Sequence, residues 1–377
     1  MHAQRLALYL APRSLLYFRH VIGHMPADAV DIFVPDDLVR DGGDDCPAFR
    51  ELADAGYRFL PVGQAGGSYG AVGVAGQQDL ERCPALAALS ARRILLLHAS
   101  AFVFLPDDAP FTHVLCQYAK QIDLGKPPAA QPDGRPVREI FPAGTYQLGP
   151  WEDRRQLPRE RLRQLLEEHL DAPVPADREL LLYCGGLLDQ PREHIDAVRQ
   201  LAACRTVLFK PFYDHPVYEA LDGMDGVHLI RDSIHVSPNA MRFAADVILT
   251  SPLSGVFTTS LLLRQHVMPF LTWHQSASRD HNAFAPWKAR MPPADALPEL
   301  HIARKLGGPF DNKTLHAMQK NMDNPHYWQR YDAAQQALLR GFFGDYRIEG
   351  AALRAARGLL DVARSGVFAP AGQEETA

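Results

Sequence analysis

The chain has 377 residues, more than one ordinary hydrophobic core holds, so two domains are expected. Hydrophobic residues make up 47% and charged residues 22%, the balance of a globular protein rather than a disordered or membrane-spanning one. The formal charge of -5 gives no basic excess, so nucleic acid is not an expected partner.

Five cysteines, Cys46, Cys83, Cys116, Cys184 and Cys204, are widely spaced with no CxxC pair. They are expected to be reduced thiols rather than a disulfide framework or zinc site. The opening residues 1–16 carry a short apolar run broken by Pro12 and Arg13, which is better suited to a first strand than to a signal peptide. No apolar run has the length of a bilayer span, so any membrane contact is expected to be peripheral. A cytoplasmic location, extending to the inner face of the membrane, fits these features.

In chain order, strands are predicted at 6–10, 30–34, 57–62 and 93–98, and helices at 14–25, 46–55 and 80–91. Strands alternating with helical periods point to βαβ units and a parallel sheet. Residues 63–76 (GQAGGSYGAVGVAG) read as a glycine-rich loop, mobile over a ligand or simply flexible. That loop lacks the G-x-G-x-x-G pattern and the acidic residue of a dinucleotide site, so NAD is not expected. Prolines at 127, 128, 132, 136, 142 and 150 make 121–151 an expected extended connector.

A second α/β series follows. Helices are predicted at 157–170, 193–203, 239–245 and 256–264, and strands at 179–183, 206–210, 227–230, 247–250 and 267–271. Helices at 312–322, 325–343 and 350–364 close the chain. The expected architecture is α/β, two Rossmann-like domains facing a cleft in the GT-B manner. Domain boundaries are expected at 1–150, joined by helices of about 345–370, and at 151–344.

The strand 206–210 ends in Lys210, with His215-Pro216 five residues on. The strand 247–250 ends in Ser251-Pro252-Leu253-Ser254-Gly255, directly before a helix. Open α/β sheets place ligands beyond strand ends, and a helix start attracts anions. Lys210 suits a phosphate counter-charge, and His215 a donor-binding or acid–base group beside Asp214. Either site also has a plainer reading: Ser254 as a helix cap and His215 as a turn residue before proline. The two turns gain weight from being expected at adjacent strand ends. Gly185 and Gly186 end the strand 179–183, where a glycine turn lets backbone approach a ligand. Arg231-Asp232-Ser233 and Trp273-His274 follow other strands, and the histidines 228, 235, 274 and 281 form no metal-ligand spacing.

The element KPFYDHP resembles the K-x-H-P element of CDP-glycerol glycerophosphotransferases and related capsule-polysaccharide transferases. The run AADVILTSPLSGVFTTSLLLRQHVMPFLTW resembles their Ala-Asp strand, serine turn, helix and proline-containing strand, and residues 141–149 are similar to the segment ending their first domain. Bacterial polysialyltransferases share the HP element and a serine pair. The resemblance covers mainly the second domain. It implies a GT-B transferase that uses a CMP-, CDP- or UDP-linked donor and a glycan or lipid-linked acceptor in cell-envelope capsule or lipopolysaccharide synthesis, with no obligatory metal or cofactor. By it, His215 contacts the donor phosphate and Ser254 the nucleotide or its phosphates. Two departures stand out. Phe212-Tyr213-Asp214 lengthen the Lys-to-His spacing, and Ser251 stands where these enzymes carry an acidic residue.

No N-terminal His-Gly-Thr motif supplies the catalytic base. For that role the first domain offers His98, at the end of the strand 93–98, and Asp107 or Asp108 in the loop beyond. The alternatives are a degenerate module that binds glycan or partner without turnover, and a sugar-nucleotide epimerase or hydrolase.

Overall fold

The computed structural model describes residues 5–43, 46–76, 78–97, 103–105, 109–123, 138–175, 177–186, 191–231, 238–272, 297–344 and 346–368. The chain forms two compact units, one of residues 1–149 with 345–377 and the other of residues 150–344.

The first unit is built on seven strands: β1 (Leu6–Tyr9), β2 (Val30–Val34), β3 (Arg58–Pro61), β4 (Ala71–Val74), β5 (Arg93–Leu96), β6 (His113–Cys116) and β7 (Glu139–Pro142). They lie in the order β3-β2-β1-β4-β5-β6-β7, and every pairing is parallel. Alternation along β1 shows why the sheet is covered on both sides. Leu6 and Leu8 join a core with the helices Pro12–Ile22, Pro47–Asp54 and Ala351–Ser365, while Ala7 points into a second core with Val72, Leu86 and Phe111. The closing helix is tied into this unit by polar contacts as well. Arg92 donates to Val362 O at 3.2 Å, and His113 Nε2 lies 3.0 Å from Gly366 O.

Three sequence expectations are corrected here. The glycine-rich segment 63–76 is not a loop throughout, because Ala71–Val74 is the fully buried central strand of the sheet. Its glycine at 73 is a packing requirement: a Cβ there would lie 2.8 Å from Leu8 Cδ2 and 3.3 Å from Leu96 Cδ1. The helix expected at 80–91 is two short helices, Asp79–Arg82 and Pro84–Ala88, since Pro84 has no N–H with which to continue the first. The connector expected at 121–151 contains β7, an edge strand that tolerates Pro142 at its last position. Its middle, 124–137, lies outside the described residues.

The second unit carries five strands: β8 (Leu180–Cys184), β9 (Thr206–Lys210), β10 (Val227–Leu229), β11 (Val247–Thr250) and β12 (Val267–Pro269). Their order is β10-β9-β8-β11-β12, again parallel throughout. Helices Pro191–Ala202, Asn239–Ala244 and Gly255–Leu262 connect these strands, and Pro298–Lys305, Leu315–Met322 and Pro325–Leu338 complete the unit. The Asp of the resembled Ala-Asp strand, Asp246, has a structural task. It accepts the Leu180 N–H at 2.8 Å and forms ion pairs with Arg159 and with Arg163, the latter at 3.4 Å, pinning the helix Arg159–Leu170 to the start of β8. Among the described residues, no helix is long and apolar enough to cross a membrane.

Candidate functional site

The candidate site grows from the carboxyl ends of the second sheet. Lys210, Cys184, Thr250 and Pro269 sit in one row, each paired with the next across β9, β8, β11 and β12. The chain therefore leaves β9, β8 and β11 at one level. Beyond that level come Pro211 to His215, Gly185-Gly186, and Ser251 to Gly255. The Lys210 and Ser251 exits are not adjacent, which corrects the sequence expectation. β8 runs between them, so the glycine turn occupies the middle of the row. The sheet order also reverses between β8 and β11, the switch point at which open α/β sheets leave a crevice for ligands.

Gly185 is shaped by this crowding. Its N–H donates to Lys210 O at 2.9 Å, continuing the ladder one step past the strand. A Cβ on it would meet Phe212 N at 3.3 Å and both Pro211 Cα and His194 Nε2 at 3.4 Å. Beneath the turn, the Tyr183 hydroxyl and His194 Nδ1 lie 2.5 Å apart in an aromatic setting with Phe209 and Tyr218. Burial pushes His194 down to about 3, so the ring is neutral.

Two cations bear on the same end of β8. Burial pushes the Cys184 thiol up to about 11, and the positive charges of half-buried Lys210 and buried Arg242 oppose that rise. Arg242 lies on the helix Asn239–Ala244 and donates to Asn239 Oδ1. Sequence reading missed it. An arginine inside the apolar run NAMRFAA was the available signal, since a cation in such a run is buried only with polar company.

Ser254 is the N-cap of the helix Gly255–Leu262, with Oγ accepting the Val256 N–H at 3.2 Å. Buried Ser251 stiffens the turn: its Oγ accepts from Leu253 N at 3.3 Å and its carbonyl from Ser254 N at 2.9 Å. The plainer reading of Ser254 is thus realised, yet a hydroxyl that accepts in a cap keeps its own O–H as a donor. His215 behaves alike. It caps the 3-10 turn Pro216–Leu221, and its Nδ1 accepts the Val217 N–H at 3.1 Å. This bond puts the proton of the neutral ring on Nε2, so the exposed side of the imidazole is a hydrogen-bond donor.

Gly186 and Gly255 follow β8 and β11 as described, one buried and one half-buried. His98, Asp107, Asp108, Asp232, Ser233, His235, Trp273, His274 and His281 lie outside the described residues. Arg231 pairs with Asp222, and His228 sits in β10 with its pKa lowered by burial. Among the described residues, no group of three or more His, Cys, Asp or Glu side chains is placed to hold a metal ion.

Two parallel Rossmann-like sheets of seven and five strands, with helices between the strands, define a GT-B-type fold. Solved structures share it at low identity. A variant of the wall teichoic acid polymerase TagF soaked with CDPG aligns at 10% identity over 94% of this chain and 87% of its own, with a TM-score of 0.54. Anabaena HepE in complex with UDP and glucose aligns at 9% identity over 94% and 98%, with a TM-score of 0.50. A UDP-N-acetylglucosamine 2-epimerase aligns at 13% identity over 95% of each chain, also at 0.50. No protein-family model matches the chain, and no curated protein matches it in sequence.

Proposed function

We propose that this chain is a transferase that moves a sugar or polyol-phosphate unit from a nucleotide-activated donor to a glycan or lipid-linked acceptor in cell-envelope polysaccharide synthesis. The carrying observation is the single row of strand exits, with a cation, a glycine turn and a capped helix start side by side at a switch point. In this reading Lys210 supplies charge to the donor phosphates. His215 Nε2–H, the Ser254 O–H and the helix N–H groups from Gly255 onward supply hydrogen bonds, and Gly185 and Gly186 let the ligand lie close to backbone. Ser251 holds the serine turn in shape. These donors stabilise the leaving nucleotide as charge develops on it. The first unit takes the acceptor and contributes the base, for which His98, Asp107 and Asp108 are candidates. Structures of similar fold bound to UDP or soaked with CDPG support the nucleotide donor.

Calorimetric titration with CMP, CDP and UDP tests the donor site. One of them should bind the parent protein and bind Lys210→Ala and His215→Ala at least about tenfold more weakly, the loss of one charge-assisted hydrogen bond each. No binding of any nucleotide would refute the reading. A second reading, a module that binds without turnover, is favoured by one observation: both Ser254 and His215 already serve as backbone caps. Nucleotide binding without release of product from any donor is its signature.

A further inference from the structure

The first sheet also reverses its order, between β1 and β4, and the chemistry gathered at that second switch point has no part in the donor site. β1 ends at Tyr9, paired with Val74, the last residue of β4. Two residues beyond, the Gly76 N–H donates to Asp79 Oδ2 at 2.7 Å, and the Asp79 N–H donates back to Gly76 O at 3.1 Å. Cys83 is hydrogen-bonded to the Tyr9 phenol. From the exit of β2, Asp36 Oδ1 accepts the Gly63 N–H at 2.8 Å, and the Asp36 charge is felt at Cys83. The exits of β1, β2 and β4 thus bring a phenol, a thiol and two carboxyls to one edge, with Arg82 as the nearby cation.

We propose that Asp79 is the catalytic base that takes the proton from the acceptor hydroxyl, with Tyr9 and Cys83 as uncharged hydrogen-bonding neighbours of a polyhydroxyl acceptor. The proposal rests on the transferase reading above. In the step, the acceptor O–H breaks and its proton passes to Asp79 Oδ1, the oxygen not held by Gly76. The acceptor oxygen bonds to the transferred carbon or phosphorus. The bond from that atom to the nucleotide's phosphate oxygen breaks, and its electron pair leaves with the nucleotide.

The surroundings fit that task. Burial raises the Asp79 carboxyl, outweighing the lowering by the Gly76 N–H and Arg82, which makes it a better proton acceptor than an exposed carboxylate. Burial likewise pushes Tyr9 up to about 12 and raises Cys83, so both stay protonated at neutral pH. A raised carboxyl is less at ease in the folded chain than in the unfolded one at neutral pH. Asp79→Asn removes that strain and keeps an oxygen for the Gly76 N–H, so it should melt no lower than the parent. A carboxyl present only to hold the turn would give the opposite result.

The full-length parent, Asp79→Asn, His98→Ala and the double variant Asp107→Ala/Asp108→Ala are compared in three assays: calorimetry with CMP, CDP and UDP, thermal melting, and nucleotide release from CMP-, CDP- and UDP-linked donors. Asp79→Asn is expected to bind nucleotide like the parent, to melt no lower, and to release nucleotide about 100-fold more slowly or worse. Parent turnover should also fall as pH drops through the raised Asp79 pKa, a limb absent from the variant. The proposal is overturned if Asp79→Asn keeps parental turnover, if it melts well below the parent, or if the parent binds nucleotide but turns over no donor. A parent that binds no nucleotide refutes the underlying transferase reading instead, and this proposal goes with it.

Discussion

Ser254→Asp separates the two roles that Ser254 can hold. As an N-cap, Asp is the equal of Ser, and a negative charge at a helix start is itself favourable by about 0.3–1 kcal/mol. The cap at Val256 N is therefore kept, and the melting temperature should hold or rise slightly. Donor binding should behave very differently. A carboxylate about 4 Å from a phosphate at an effective dielectric near 20 meets about 4 kcal/mol of repulsion. Salt and solvent weaken that, so a loss of at least about 30-fold in nucleotide affinity is the expected floor. Ser254→Ala gives the complementary result: it loses the cap, at about 1 kcal/mol, and should melt about 2–4 °C lower. Calorimetry with CDP and UDP beside thermal melting reads both quantities. Unchanged affinity in a fully folded Ser254→Asp protein would refute the phosphate placement and leave Ser254 as a cap alone.

Gly73→Val places atoms where Leu8 and Leu96 already lie, and should destabilise the first unit by about 1–3 kcal/mol in denaturant melts. Asp246→Ala removes the acceptor of the Leu180 N–H and strands Arg163, with an expected cost of about 2–3 kcal/mol and no direct effect on nucleotide contacts. His194 is neutral when folded and protonates readily when unfolded. Its contribution to stability is complete above about pH 6.5 and is lost as pH falls toward 3, by up to about 1.4 kcal/mol per pH unit. His194→Gln should flatten that acid limb in stability measured against pH.

The second unit was the more legible half of the sequence. Its buried strands, such as Thr206–Lys210 and Val247–Thr250, are short apolar runs that end in polar turns, and the observed bounds coincide with the expected ones. In the first unit the same logic failed at β4. Ala71-Val72-Gly73-Val74 is hidden among glycines and reads as a loop, because what makes it a strand is the contact of Gly73 with Leu8 and Leu96. β6 and β7 were missed for a related reason. Each is four residues long, β7 is bordered by prolines, and parallel pairing with neighbours distant in sequence leaves no local period to read.

The sequence by itself determined the class of fold and the polar residues that end the strands of the second unit, because both are written in local periodicity and turn chemistry. The order of the strands was decided only in three dimensions. That order set Gly185 between the Lys210 and Ser251 exits, brought Arg242 to bear on the end of β8, and gathered Tyr9, Asp79 and Cys83 at the first switch point. Such neighbours come from different strands and helices, and their proximity follows from parallel crossovers that no spacing within the chain records.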